Sequence, residues 1–246
     1  MKEMQMQKIK NLSEQDYREL PYISVTQVCR RAVAKSAWEY HNTTFEETSS
    51  MLLGSLFDAM VTGVGVERFQ RSEAATKSSK AFKEQEETAK AEGIKLVTSN
   101  EWEKAEAMAR SFKSHPTVQE IFRSCEFQVS YVSEQDNLKG RLDALQNDMF
   151  DATVWDIKTC SNNFVYAVKD YGYDMQLAAY MRMAGATQGG WLVIDTSPPH
   201  EITIYKIKTS TLMKSLEQFD QFFHILKQEL VDEGIKNRRN TEIQYI

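Results

Sequence analysis

Asp156 and Lys158 stand two residues apart in Val154-Trp155-Asp156-Ile157-Lys158-Thr159, an otherwise apolar or β-branched run. Side chains of a strand alternate faces, so the acid and the lysine share one face while Trp155 and Ile157 take the other. Burying a carboxylate and an ammonium in such a strand is costly unless something offsets it. Metal-assisted attack on a phosphodiester provides the offset. The carboxylate holds a divalent cation, and the lysine steadies or deprotonates the attacking water beside the phosphate. Taken alone, the pair also fits an edge strand with a solvated salt bridge, which contributes little.

Other residues line up with this pair. Asp143 closes Gly140-Arg141-Leu142-Asp143 at or near the end of a strand, and a turn can bring it beside Asp156. Two carboxylates make an oxygen site suited to Mg²⁺ or Mn²⁺. Glu126 opens an earlier strand and is a further candidate. Gln176 and Tyr180 are four apart in a helical stretch, so they share a face, and both can hydrogen-bond a phosphate or a catalytic group. Asp58 is an isolated acid in the apolar Gly54-Ser55-Leu56-Phe57-Asp58-Ala59-Met60. Each of these alone also has a plainer reading: a turn residue for Asp143, an amphipathic face for Gln176 and Tyr180, a surface acid for Asp58 and Glu126.

The elements that must position them follow from the pattern. Ser24 is an N-cap for a helix over 25–41, and a second helix covers 48–62, closed by Gly63. Residues 71–95 are polar and predict an exposed helix or a loop. Thr98-Ser99-Asn100-Glu101 is a capping box for a helix to Ser114, and Pro116 starts a short helix ending near Arg123. The period then changes to two, with Phe127, Val129 and Tyr131 on one face of a strand. Further strands are expected at 139–145 and 152–159, joined by Gln146-Asn147-Asp148, then a helix over 173–184 ended by Gly185. Strands at 191–195 and 201–207 flank the Pro198-Pro199 turn, and a last helix covers 210–233. This is a mixed α/β core with helices on its faces.

The 246 residues suit one domain, and 41% hydrophobic with 26% charged residues is globular rather than disordered. No apolar run approaches the roughly 18 residues that span a bilayer. The first residues lack a signal-peptide core, and Cys29, Cys125 and Cys160 have no CxxC spacing, so a cytoplasmic protein with reduced thiols is expected. A net charge of −5 counts against a nonspecific nucleic-acid binder but not against a nuclease, whose metal site gathers carboxylates. Lys77, Lys80, Lys83, Lys90 and Lys95 can touch phosphates, but Glu84, Glu86, Glu87 and Glu92 dilute them toward a solvated face. The tail Lys236-Asn237-Arg238-Arg239 is a candidate contact for DNA or a partner.

Asp143, then Val154-Trp155-Asp156-Ile157-Lys158-Thr159, then Gln176-x-x-x-Tyr180 resembles the PD-(D/E)XK nuclease superfamily, in its RecB-like branch. The set is most similar to the phage and prophage exonuclease group typified by RecE. Pro21-Tyr22-Ile23-Ser24, Leu53-Gly54-Ser55-Leu56-Phe57-Asp58 and the stretch from Ala91 to Thr98 extend the likeness over roughly 20–225. The group often has a metal-binding histidine where this chain has Asp58. An aspartate also ligates Mg²⁺.

The resemblance implies a restriction-endonuclease-like α/β core, a central mixed sheet flanked by helices, after a helical N-terminal third. The whole of 1–246 would be one nuclease domain, with 1–124 mostly helical and 125–236 the core and closing helix. It implies that Asp143, Asp156 and the Ile157 carbonyl hold Mg²⁺ or Mn²⁺, with Glu126 and Asp58 completing one or two sites. Lys158 would position or activate water, and Gln176 and Tyr180 would hold the site and the DNA strand. It further implies a 5′ to 3′ exonuclease acting on double-stranded DNA ends in a bacterial host. A phage single-strand annealing protein would be its partner, in a ring-shaped homo-oligomer with no membrane role. Two alternatives stand beside it: an endonuclease of the same fold, and a DNA-binding module with an inactive site. A relative of the CRISPR adaptation nucleases would carry a four-cysteine iron–sulfur site, which three scattered cysteines do not supply.

Overall fold

The period-two stretch builds a sheet, and its central strands carry the candidate residues. The computed structural model describes residues 5–10, 12–44, 46–74, 76–148, 151–161 and 163–232. In chain order the elements begin with β1 (Gln7–Ile9), α1 (Glu14–Glu19), β2 (Ile23–Ser24), α2 (Val25–Val33), α3 (Ala37–Asn42) and α4 (Ser49–Thr62). A 3₁₀ turn at Val66–Arg68 leads to β3 (Phe69–Arg71), α5 (Lys80–Ala91), β4 (Lys95–Val97), α6 (Ser99–Ser114) and α7 (Pro116–Phe122). The core follows as β5 (Cys125–Ser133), β6 (Leu138–Asn147), β7 (Ala152–Cys160), α8 (Phe164–Asp170), α9 (Tyr173–Ala184), β8 (Gln188–Asp195), β9 (Ile202–Lys206) and α10 (Thr209–Val231). The tail at 236–239 and the last residue of the expected closing helix lie outside the described residues.

The main sheet runs β1-β5-β6-β7-β8-β9, with β2 also on β6. Neighbours are antiparallel except β7–β8 and β2–β6, which are parallel, so the sheet is mixed as expected. Helices α2, α9 and α10 cover one face, burying Val25, Val28, Leu177, Met181, Phe219 and Leu226. On the other face α4, α6 and α7 bury Leu53, Leu56, Phe57, Met108, Phe112 and Ile121. At Gly190 the sheet admits no side chain, because a Cβ there would stand 2.2 Å from the Tyr205 carbonyl and 2.8 Å from the Trp155 ring. Gly190→Ala is therefore expected to cost about 1–3 kcal/mol as β8 and β9 are forced apart, a loss read from the urea midpoint.

Several caps are those the sequence predicts. Ser24 Oγ accepts from the Gln27 N–H while Gln27 Oε1 accepts from the Ser24 N–H, and Thr98 and Glu101 repeat the arrangement. Gly63 and Gly185 end α4 and α9 in the left-handed conformation. The expected helix over 25–41 instead breaks in two. Ser36 Oγ accepts from the Glu39 N–H and Glu39 Oε2 from the Lys35 N–H, so a second N-cap starts α3. A buried ion pair ties this region to the C-terminal helix: Arg31 grips Glu229 with Nε and Nη2 at 2.8–3.0 Å, and His41 Nε2 stands 3.1 Å from the same carboxylate.

The polar stretch 71–95 contains an exposed helix, α5, but also the parallel pair β3–β4 around it. Phe82, Ala89 and Leu96 give this lobe a small core of its own. Its lysines face acids: Lys80 with Glu84, Lys90 with Glu86, Lys77 with Glu101 and Lys95 with Glu47. Among the described residues, no helix is long and apolar enough to cross a membrane.

Candidate active site

β7 lies between β6 and β8 and is therefore no edge strand. Its alternation holds: Trp155 and Ile157 pack with the α4 and α6 layer, while Asp156 and Lys158 turn toward α9. Pairing of β6 with β7 runs only from Ala144↔Trp155 to Asn147↔Ala152. β5 keeps the other edge of β6 throughout, so β2, at Leu138 and Lys139, takes the near edge further along. Between them the backbone of residues 140–143 opens onto a gap.

Asp143 sits at the mouth of that gap. Its Oδ2 accepts a 2.9 Å bond from the Ile157 N–H, a side chain standing where the strand ladder stops. In an extended chain a residue's C=O projects to the same side as its N–H. The Ile157 carbonyl therefore faces the gap with Asp143. The sidedness of both neighbouring strands also switches here. Val129, Tyr131 and Leu142 lie on the α9 side, whereas Phe127 and Ala144 lie on the α4 side. Gln128, opposite Asp143, absorbs the switch with φ +51°, a left-handed conformation rare for a non-glycine residue. Its Nε2 then donates a 2.7 Å bond to Asp58 Oδ2, which draws the α4 acid to the site.

Electrostatics follow from this crowding. Lys158 Nζ donates to Asp156 Oδ1 at 2.7 Å. It lies 2.6 Å from Oδ2 as well, yet that oxygen receives no directed hydrogen bond, and neither does Asp58 Oδ1. Asp156 is 1% exposed. Burial chiefly raises its pKa to about 7, with Asp143 adding to the shift and Lys158 opposing it. Burial, then the charge of Asp143, pushes Asp58 well above the ordinary carboxylate range. Burial alone would lower the pKa of Lys158, but Asp156 and Asp143 outweigh it and raise it, so the ammonium is firmly charged.

Gln176 and Tyr180 share one face of α9, and Gln176 Nε2 donates to the Tyr180 hydroxyl at 3.2 Å and to Thr26 Oγ1 at 3.4 Å. Tyr180 is buried, and that burial, with Tyr17 and Asp143 nearby, raises its pKa strongly. Glu126 is not brought to the site. Two residues before Gln128 on β5, it is paired with Lys8 at 2.8 Å and bonded by Asn147 at 2.9 Å. Lys8 is why: β1 runs along β5 and delivers a cation to the position. Three further residues belong to the site. Thr26 follows the Ser24 cap and was within reach of it. Gln128 and Tyr173, whose ring holds the Lys158 ammonium 4.9 Å from its centroid, carry no sequence signal of their own.

A divalent cation fits these groups. Two buried carboxylate oxygens lack directed partners, and hard oxygen donors converge on the gap. Among the described residues no three His, Cys, Asp or Glu side chains form a ready-made cage.

A mixed sheet between two helical layers, with an acid pair and a lysine at its splayed strands, is the architecture of a nuclease. The chain belongs to the PD-(D/E)XK nuclease superfamily, whose family model matches residues 29–245. Among solved structures it is similar to a candidate exonuclease from Eubacterium rectale, with 14% identity, 93% of this chain and 88% of that one covered, and a TM-score of 0.58, a likeness of fold. An alkaline exonuclease from Laribacter hongkongensis aligns at 12% identity over 87% of this chain and 91% of that one, with a TM-score of 0.34. A search of curated proteins finds no match.

Proposed function

We propose that this nuclease is a Mg²⁺- or Mn²⁺-dependent deoxyribonuclease that degrades one strand from double-stranded DNA ends in the 5′ to 3′ direction. The observation that carries the reading is the placing of Asp143, Asp156 and Lys158 together where β6 and β7 part. Asp143, Asp156, Asp58 and the Ile157 carbonyl would hold the cation in this reading, which leaves Glu126 to its ion pair with Lys8. A cation held there would supply polarisation of the phosphate and a lowered pKa for a bound water. Lys158, held as an ammonium, orients that water and offsets charge on the phosphorane rather than taking a proton. The water oxygen would bond to phosphorus as the ester P–O bond breaks in line, with the water's proton passing to solvent and the leaving oxygen taking one from solvent. Tyr180 and Gln176 fix the α9 wall of the site, and Gln128 fixes Asp58.

The direction, the 3′ overhang handed to a phage annealing protein, the cytoplasm of a bacterial host and a ring-shaped homo-oligomer come from the likeness to RecE-type enzymes. The single domain spanning 1–246 belongs to the same proposal. Linear duplex carrying a 5′ label, incubated with Mg²⁺ beside closed circular duplex, tests it. Early release of labelled mononucleotide from the linear form alone is expected. Cutting of closed circles would instead make the protein an endonuclease, and binding without cutting would make it a DNA-binding module.

A further inference from the structure

Tyr171 is a large ring left 60% exposed beside Tyr173, the ring that meets the Lys158 ammonium. A lone exposed aromatic needs no explanation, but this one belongs to a cluster of rings. Phe164, buried in α8, stacks on Tyr173 with centroids 6.1 Å apart and planes 20° apart. Tyr171 follows on Tyr173 at 5.5 Å and 31°. Gly172, at φ +66°, turns the chain between Tyr171 and Tyr173, whose rings meet. The middle ring carries the Lys158 ammonium 4.9 Å from its centroid.

Resting on the nuclease reading, the geometry points to Tyr171 as a stacking platform for an unpaired nucleobase of the strand being cut. An exposed ring face is what a base stacks on, and every base has a face to offer whatever its sequence. Tyr173 links Tyr171 to Lys158, with the ammonium 4.9 Å from its centroid and the open Tyr171 ring 5.5 Å from it. A base inside a duplex has both faces covered by its neighbours. The platform therefore accepts a frayed or single-stranded base, and it favours the separated strand over the intact duplex.

The test uses the full chain and duplexes with 2-aminopurine in a short unpaired end, bound in Ca²⁺ so that fluorescence, not turnover, is read. Wild type is expected to quench the unpaired probe. Tyr171→Ala should lose the quenching and bind the unpaired end about 10-fold more weakly, while Tyr171→Phe should restore both. Fully paired blunt duplex should be bound alike by all three. Equal quenching and affinity for wild type and Tyr171→Ala would overturn the platform while leaving the nuclease reading intact. A wild-type protein that neither binds nor cuts any DNA would overturn both.

Discussion

Lys158→Ala is expected to slow cleavage of linear duplex DNA by about 10²–10³-fold, the loss typical of removing one preorganised group from a developing charge. The ammonium is fixed on three sides: Asp156 at 2.7 Å, the charge of Asp143, and the Tyr173 ring at 4.9 Å. Such a group does not reorganise as negative charge builds on the phosphate. Lys158→Arg should not rescue the rate, since a planar guanidinium does not fit a space shaped around a compact ammonium. DNA affinity should change only a few-fold, because the charge acts on the reacting phosphate rather than along the strand. Single-turnover rates with a parallel binding titration separate the two effects. A variant that cuts at the wild-type rate would remove Lys158 from the chemistry.

The second large effect is linkage between protons, cation and stability. Asp156 has its pKa raised to about 7, mainly by burial, and Asp58 is raised as well. A carboxyl whose pKa is higher folded than unfolded favours the native state while protonated. Its stabilisation is complete below the unfolded value near 4 and is lost as pH rises toward 7. The metal-free protein should therefore lose on the order of a few kcal/mol between pH 5 and pH 8. Glu14, Glu101 and Glu126 are shifted down and act in the opposite sense, but only as pH falls through the acid range below that window. Lys158 is shifted up, so its contribution is lost only at much higher pH. Mg²⁺ or Mn²⁺ needs the ionised carboxylates and should raise the melting temperature more at pH 8 than at pH 5.5. Asp156→Asn should flatten both trends. A metal-free melting temperature that is flat or rising from pH 5 to pH 8 would contradict the assignment.

Much of this arrangement was legible in the chain, for definite physical reasons. The alternation of Trp155 and Ile157 against Asp156 and Lys158 is a property of any strand, and β7 obeys it. Ser24, Thr98, Gly63 and Gly185 mark helix ends by local hydrogen bonding or backbone freedom, so their neighbours suffice to read them. What stayed hidden depends on partners far along the chain. β1, β2, β3 and β4 are two or three residues each, and only β5, β6 or each other makes them strands. Glu126 has the composition of a ligand, yet Lys8, more than a hundred residues earlier, claims it. Gln128 reads as one more polar residue in a strand. Its left-handed backbone, which brings it to Asp58, exists only because two strands change sides together.

The most direct test of the central claim is cleavage of linear duplex DNA by wild type and Asp156→Asn, each with Mg²⁺ or Mn²⁺ and with EDTA. The account predicts metal-dependent cutting by the wild type, none in EDTA, and a loss of at least 10²-fold in a variant that still folds and binds DNA. Undiminished cutting by Asp156→Asn, or by wild type in EDTA, would place the chemistry elsewhere in the molecule.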